Sequence, residues 1–357
     1  PAVVDEKSKN GTWVAGERVL RRRVGADLVE IGTTCLLIRP GAGDVGPDAI
    51  ATHPVGLRTL SAPLERSFAL LERVARAAVP VLILGETGTG KEVTARAVHA
   101  LSGRTGAFAA VNCGAVPENL VASELFGARK GAFSGAVADR PGLVLEAHRG
   151  TLFLDEVAEL PAAAQAALLR VLAEREVLAL GATRPVPVDV RIVAATNEDL
   201  PAQVGARKFR KDLYARLSGL TVTLPPLRER LEDLGLLIGE LLPRVAGARA
   251  SSLSLHRAAA RAQFAHDWPR NVRELEHVLA AAAALADGDE LQLEHLPAAV
   301  TGAGPALGSP ARADFIALVA EHKGNVSAVA RALATSRSHV RRLADRYGLE
   351  IDKLRGG

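Results

Sequence analysis

Gly85-Glu86-Thr87-Gly88-Thr89-Gly90-Lys91 sets glycines around a single lysine, and Thr151-Leu152-Phe153-Leu154-Asp155-Glu156 ends an apolar run on two acids. Together these are parts suited to hydrolysing a nucleoside triphosphate. Glycines let backbone N–H groups surround phosphate oxygens at a helix N-terminus, and Lys91 offers charge to the β- and γ-phosphates of ATP. The loop follows the apolar run Val79-Pro80-Val81-Leu82-Ile83-Leu84 and precedes a helical one, the context that makes a P-loop credible. The bare pattern would arise by chance about 0.1 times in a chain of this length, so the acids decide the matter. Two carboxylates at the exposed end of a buried strand are costly unless they have a use. Asp155 is expected to hold Mg²⁺, directly or through water, and Glu156 to orient or deprotonate the attacking water. Glu92 stands where a general P-loop has the Ser or Thr that ligands magnesium.

A parallel sheet is the element that would position these groups. Between Leu57 and Pro226, strand-like runs at residues 79–84, 108–112, 151–154 and 190–196 alternate with helical ones, which predicts an α/β unit with a largely parallel sheet. Residues 227–300 have helical periodicity and almost no strand signal, and read as a helical lid. Residues 301–311 contain GAGPALGSP, a second linker after the Gly-, Pro- and Ala-rich stretch at 41–56. Before the first linker, residues 1–40 read as short β-strands at Gly11 to Val14, Leu28 to Ile31 and Cys35 to Ile38. After the second, residues 312–357 form an all-α unit of helix-turn-helix proportions. Asn325 can cap a helix running to Ala334, Thr335-Ser336 makes the turn, and a second helix runs from Arg337 to Tyr347. Val326, Val329, Leu333, Val340 and Leu343 would pack the pair. Arg337, Ser338, His339, Arg341 and Arg342 then offer polar and basic groups to DNA bases or phosphates.

Composition agrees with a multidomain globular chain. Of 357 residues, 48% are hydrophobic, 24% charged and only 3% aromatic, so cores should be aliphatic and much of the chain helical. The net charge of +4 is mild, but the last stretch is locally basic, which favours nucleic-acid contact there. Cys35 and Cys113 are far apart, without metal-ligand spacing or a secretory signal, and read as buried thiols of a cytoplasmic protein. No apolar run reaches the ~20 residues that span a bilayer, so no membrane is expected. The chain starts at Pro1 and has no methionine, from which a missing native start is expected.

Ser123-Glu124-Leu125-Phe126-Gly127 runs on to Gly131-Ala132-Phe133-Ser134-Gly135-Ala136, an aromatic tip bracketed by glycines. An exposed aromatic between flexible ends suits a loop that a partner covers periodically. The segment SELFGARKGAFSGA closely resembles the sigma-54-contacting loop of bacterial enhancer-binding proteins, the AAA+ activators of sigma-54 RNA polymerase. Ser134 stands where that family has threonine. The resemblance extends over most of the chain and implies further roles. The family shares Glu92 after the lysine. Asn112 matches its switch asparagine, which can hydrogen-bond the catalytic glutamate. Thr196-Asn197 matches sensor I, where the Asn197 amide could report on the γ-phosphate. Arg210 and Arg216, in FRKDLYARL, match arginine fingers that reach a neighbouring subunit's nucleotide, which implies a homo-oligomeric ring, a hexamer. LPPLRER matches the hinge to the lid. WPRNVREL matches sensor II, with Arg273 facing nucleotide and Arg270 where the family has glycine. SKNGTWVAGERV resembles the second half of a forkhead-associated domain, a phosphothreonine-binding fold. Ser8, Asn10 and Gly11 match its later loop, and the earlier arginine and serine loop is absent. GNVSAVARALATSRSHVRRL resembles the family's Fis-type DNA-binding end. The implied activity is ATP hydrolysis that remodels the sigma-54 RNA polymerase closed complex from upstream enhancer DNA. A DNA-binding repressor of the same ancestry, and an AAA+ ATPase of a protease or helicase, are the alternatives.

Overall fold

The computed structural model describes residues 2–14, 16–25, 27–31, 34–38, 57–132, 138–301, 312–322, 324–326, 328, 329, 340, 344 and 349. The expected linker at 41–56 lies outside these, as do residues 302–311 of the one expected at 301–311, whose Thr301 instead ends the helix Ala298–Thr301. Phe133, Ser134, Gly135 and Ala136 of the glycine-bracketed loop lie outside as well. Arg337, Ser338, His339, Arg341 and Arg342 of the expected recognition helix also lie outside them. The chain divides into two compact units, one of residues 45–230 and one of residues 1–44 with 231–357.

The first unit is built on a parallel sheet of β1 (Val81–Leu84), β2 (Phe108–Asn112), β3 (Thr151–Asp155), β4 (Arg191–Thr196) and β5 (Leu220–Thr223), in the spatial order β5-β1-β4-β3-β2. Strand alternation divides its side chains between two cores. Val81, Ile83, Phe153, Val193, Ala195 and Val222 face α1 (Ala62–Ala75) and α2 (Lys91–Ser102). Leu82, Leu152, Leu154, Ile192 and Ala194 face α3 (Glu118–Phe126), α4 (Ala162–Glu174) and α5 (Lys211–Leu217). A sheet covered on both faces explains why β1, β3 and β4 read as nearly continuous apolar runs. The expected strands are present within a residue or two of their expected ends. β5 was not expected: its Leu-Thr-Val-Thr sequence is short and half polar, and it exists because its backbone pairs with β1 from Leu220 to Thr223.

In the second unit the lid segment forms α6 (Leu234–Ala246), α7 (Arg257–Ala265) and α8 (Asn271–Leu285). A two-residue parallel ladder, Ser254–Leu255 with Glu290–Leu291, departs from the all-helical expectation and clips the two ends of the α7–α8 segment together. The N-terminal residues form a four-stranded antiparallel sheet of Thr12–Val14, Glu17–Val19, Asp27–Ile31 and Thr34–Ile38, beside the pair Ala2–Val4 and Arg21–Arg23. Its small core of Val14, Val24 and Val29 is supplemented by polar contact with α7. The Glu30 carboxylate, 1% exposed, accepts from Arg261 Nε and Nη2 at 2.8 Å each, and Arg257 lies 5.0 Å over the Trp13 ring. Near the C-terminus, α9 (Arg312–Glu321) packs Phe315 and Val319 against Val326, Val329, Val340 and Ala344. Asn325 Oδ1 accepts from the Ala328 N–H at 3.2 Å, as a helix cap does. Leu333 and Leu343, also expected in that core, lie outside the described residues. Both cysteines are free thiols; Cys113 is buried, while Cys35 is only half-buried where burial was expected. Among the described residues no helix is long and apolar enough to cross a membrane.

Candidate active site

The carboxyl ends of β1, β3 and β4 bring the P-loop and the acidic pair together, because parallel strands in register end at one edge. β1 runs into Gly85, whose added Cβ would lie 2.9 Å from the Leu224 carbonyl oxygen and whose φ is +157°. Gly88 and Gly90 take φ of +82° and +105°, the left-handed region glycine tolerates, and Gly90 opens α2. Thr89 closes the turn through its Oγ1, which donates to the Glu86 carbonyl at 2.8 Å. Lys91, only 6% exposed, donates from Nζ to the Gly85 carbonyl at 2.9 Å and to Glu156 Oε1 at 3.2 Å. A nearly buried ammonium thus sits inside the loop with a carboxylate as its partner.

Glu156 is held at both oxygens. Its Oε2 accepts from Thr196 Oγ1 at 3.3 Å and from the Asn197 N–H at 3.1 Å, while Oε1 faces Lys91. Its backbone is left-handed, φ +51°, a conformation that costs a non-glycine residue about 1 kcal/mol or more and that neighbouring structure must impose. That turn takes the side chain off the line of β3 and toward β4. Thr196, fully buried, accepts the Glu198 N–H at 3.0 Å with the same hydroxyl. The sensor-like pair Thr196-Asn197 therefore contacts the glutamate through a hydroxyl and a backbone N–H.

Asn112 does not hydrogen-bond Glu156, contrary to the expectation. Its Nδ2 donates to Asp155 Oδ2 at 3.3 Å, and its Oδ1 accepts from the Gly114 and Ala115 N–H groups at 3.0 and 3.1 Å. Register is the cause: Asn112 and Asp155 are Cα partners across β2 and β3, whereas Glu156 has already turned toward the other side. Burial raises the Asp155 carboxyl above its ordinary 3.8, against the pull of Lys91. Asp155 Oδ1 is buried without a hydrogen-bond partner. An orphan carboxylate oxygen beside a phosphate loop fits a divalent cation, which would neutralise phosphate charge there. Among the described residues no cluster of three or more His, Cys, Asp or Glu could hold a metal unaided. Magnesium in such sites takes one or two carboxylates, with waters and phosphate oxygens completing its shell, so Asp155 suffices. Glu92 forms an exposed pair with Arg96 at 2.6 Å on α2, away from any such role in this state. Cys113, next to Asn112, has its thiol pushed up to about 12, chiefly by burial, and is no nucleophile at neutral pH.

The other expected residues lie outside this cluster. Arg210 is exposed and forks Asp212, with Nε to Oδ1 at 3.0 Å and Nη2 to Oδ2 at 2.8 Å, which raises the guanidinium further above its ordinary value. Its backbone N–H is fixed by Gln165 Oε1 at 2.9 Å, and Gln165 is buried on α4. Arg216 is exposed on α5 and lines a cleft with Arg175 and Asp189. Arg273 is exposed in the first turn of α8. Its loop is held by Trp268, fully buried, whose Nε1 donates to the Gln263 carbonyl at 3.0 Å. Arg270 in place of a glycine is no obstacle there, since positive φ falls on Trp268 and Asn271 instead.

Gly131 and Ala132 sit on a built stem. Gly127–Ala128 pairs antiparallel with Arg140–Pro141, and Arg129 and Asp139 form an ion pair across it. A Cβ on Gly142 would lie 2.2 Å from the Gly127 nitrogen, so the crossing requires glycine. Leu180, in the turn between Glu176–Val177 and Val186–Pro187, adds backbone hydrogen bonds to Gly127 and Arg129 at 2.9 Å each. Sequence reasoning did not find this second hairpin, the left-handed turn at Glu156, or the arginines of the hinge. Arg228 forks Glu86 at 2.9 and 2.5 Å, and Arg230 Nη2 donates to the Thr89 carbonyl at 2.7 Å. The only signal for those contacts was the presence of basic residues in LPPLRER.

Residues 57–223 match the family described as the Sigma-54 interaction domain, and residues 228–312 match the AAA+ ATPase lid domain. The chain is 41% identical over 333 residues to the acetoin catabolism regulatory protein of Cupriavidus necator, covering 87% of this chain and 49% of that one. It is also 41% identical to the hydrogenase transcriptional regulatory protein HoxA of the same organism, covering 82% of this chain and 66% of HoxA. The chain thus spans about half to two thirds of the length of these curated relatives. Among solved structures, NtrX from Brucella abortus in complex with ATP superposes with a TM-score of 0.61 at 32% identity, covering 82% of this chain and 69% of that one.

Proposed function

We propose that this chain, which belongs to the AAA+ ATPases carrying the sigma-54 interaction domain, hydrolyses ATP to remodel the closed complex of sigma-54 RNA polymerase and so opens promoters. The observation that carries the reading is the network in which Lys91, Thr196 and the Asn197 N–H all hold Glu156, beside an orphan Asp155 oxygen. Triphosphate entering the loop competes with Glu156 for Lys91. That releases one carboxylate oxygen to take a proton from the attacking water, while Thr196 and Asn197 keep the other in place. Water adds to the γ-phosphorus, the bond to the β-phosphate oxygen breaks, and ADP and phosphate leave. Asp155 and the phosphates would hold Mg²⁺, which would supply charge neutralisation. Asn112, bonded to Asp155, senses the cation end of the site rather than the base.

Arg210 and Arg216, exposed and outside their own site's cluster, serve as fingers for the adjacent nucleotide in a ring, a hexamer, and Arg273 contacts nucleotide from the lid. The loop from Gly131 to Ala136 delivers the movement, with Phe133 as its tip; the stem closed by Gly127 and Gly142 keeps its base rigid. Arg337, Ser338, His339, Arg341 and Arg342 bind upstream DNA, and the N-terminal strands resemble part of a forkhead-associated fold, which takes a phosphothreonine partner. The setting is the cytoplasm. Purified protein, sigma-54 holoenzyme and a sigma-54 promoter give ATP-dependent open complexes, measured by permanganate reactivity. Glu156→Gln abolishes opening by stopping hydrolysis, and Phe133→Ala abolishes it with hydrolysis intact. Robust hydrolysis by the unaltered chain without any opening sinks this reading in favour of a DNA-binding co-regulator.

A further inference from the structure

Glu86 is the unexpected residue of the P-loop, an acid at the place where a tetra-anionic ligand must enter. At close range a carboxylate beside phosphate oxygens repels them, and at 43% exposure Glu86 is only partly screened by water. The structure shows how that charge is managed. β5 pairs with β1, the strand that feeds the loop, and the Leu224 N–H continues the pairing to the Leu84 carbonyl at 2.8 Å. The chain then turns through Pro225 and Pro226 and sets two arginines back over the loop. Arg228 forks both oxygens of Glu86 at 2.9 and 2.5 Å, while lying 4.0 Å from Glu229 Oε1. Arg230, 5% exposed, donates to the Thr89 carbonyl at 2.7 Å, next to the left-handed Gly90 that opens α2. One short hinge therefore grips the loop at both ends, and its next residue, Leu231, begins the 3-10 turn that leads to α6.

We infer that Arg228 and Arg230 are positioning residues for ATP: Arg228 neutralises Glu86 so that phosphate can enter, and Arg230 fixes the Thr89 carbonyl so that the loop's N–H groups stay turned inward. The inference rests on ATP as the ligand of the loop and not on the sigma-54 partner. Binding is read with a fluorescent ATP analogue and turnover with phosphate release, both on the full chain without polymerase. Arg228→Met raises Kd and KM for ATP about tenfold, the effect of roughly 1.4 kcal/mol, and leaves kcat within about twofold. Glu86→Gln, which removes the charge and keeps the shape, binds ATP at least as tightly as the unaltered chain. In the Glu86→Gln background the cost of Arg228→Met falls to about twofold or less, whereas a merely structural pair would make Glu86→Gln alone weaken binding.

A cost of Arg228→Met that persists undiminished in that background overturns the inference, and so does one that falls on kcat. Weakened binding by Glu86→Gln alone also overturns it, and that single variant decides the matter if Arg228→Met does not fold. The expected ATP pattern in all three variants, with no promoter opening by the unaltered chain, would damage only the sigma-54 reading.

Discussion

At the carboxyl ends of β1, β3 and β4, Lys91, Asp155 and Glu156 crowd together and leave Asp155 Oδ1 without a partner. At the amino ends of β3 and β4, buried polar groups are just as prominent, and fixed parts of the fold receive most of them, although Arg191 Nε has no hydrogen-bond partner. Arg191, 2% exposed at the start of β4, donates Nη1 to the Ala75 carbonyl and Nη2 to the Val74 carbonyl at 3.4 Å. Those are last-turn carbonyls of α1, at the negative end of its dipole, and the Val74 carbonyl also accepts from the Ala77 N–H at 3.0 Å. Thr151, at the start of β3, shares a 2.9 Å hydrogen bond with His99 Nδ1, and burial lowers the His99 pKa below its ordinary value. Both edges bury charge. At one edge the charge goes to a helix end, with one guanidinium nitrogen left over; at the other an unpartnered carboxylate oxygen lies beside the glycine-rich loop. An orphan oxygen beside a phosphate loop marks a ligand site better than burial, charge or an orphan atom alone.

Removing a charge at each edge separates the two uses. Lys91→Ala has the largest effect: ATP affinity falls about 100-fold or more, because a nearly buried cation is lost opposite both Glu156 and the incoming phosphates. Titration with a fluorescent nucleotide measures it, on protein shown to be folded by melting, which also falls because Glu156 loses its partner. Arg191→Leu should do the reverse. It costs about 1–3 kcal/mol of stability by removing the Arg191 bond to the Ala75 carbonyl, and leaves ATP affinity of the folded protein within about twofold. If Arg191→Leu weakens ATP binding as strongly as it lowers the melting point, the two edges are not separable.

The carboxyl edge was largely legible in the sequence, since a glycine-rich loop between a strand and a helix, and paired acids ending an apolar strand, are local patterns. The amino edge was not. Arg191 reads as the polar start of a strand, and nothing nearby in the sequence says that a helix ending at Ala75 points its carbonyls at it. The same limit hid Arg228 from Glu86, which are neighbours only because β5 lies beside β1. Asn112 shows a subtler limit. Its place at the end of a strand beside the acids could be anticipated, but its choice of Asp155 over Glu156 depends on strand register and on a left-handed φ at Glu156. Neither is written in residue type. The β5 strand was missed because four residues of mixed polarity carry too weak an alternation to stand out.

The smallest expected effects belong to two aspartates, one at each edge, whose ionisation should act on stability with opposite sign. Asp155 has its carboxyl raised by burial, so the folded state prefers it protonated. Its contribution is full below the ordinary 3.8 and is lost as pH rises through the raised value. At pH 7 the nucleotide-free Asp155→Asn protein therefore melts higher than the unaltered chain, and the difference vanishes in acid. Asp189, just before β4, has its carboxyl lowered by the Arg104 hydrogen bond, with the pair at 2.6 Å. Its contribution is present above the ordinary 3.8 and is lost as pH falls through the lowered value. Because Asp189 is 57% exposed, Asp189→Asn costs less than about 1 kcal/mol at pH 7, and less still in 1 M salt. Melting points of both variants from pH 3 to 8, in low and high salt, read the pair together. Opposite signs at pH 7 that converge in acid are the expected pattern. A lower melting point for Asp155→Asn at pH 7 would mean that Lys91 already satisfies that carboxylate, and that the surplus at the carboxyl edge is smaller than its orphan oxygen implies.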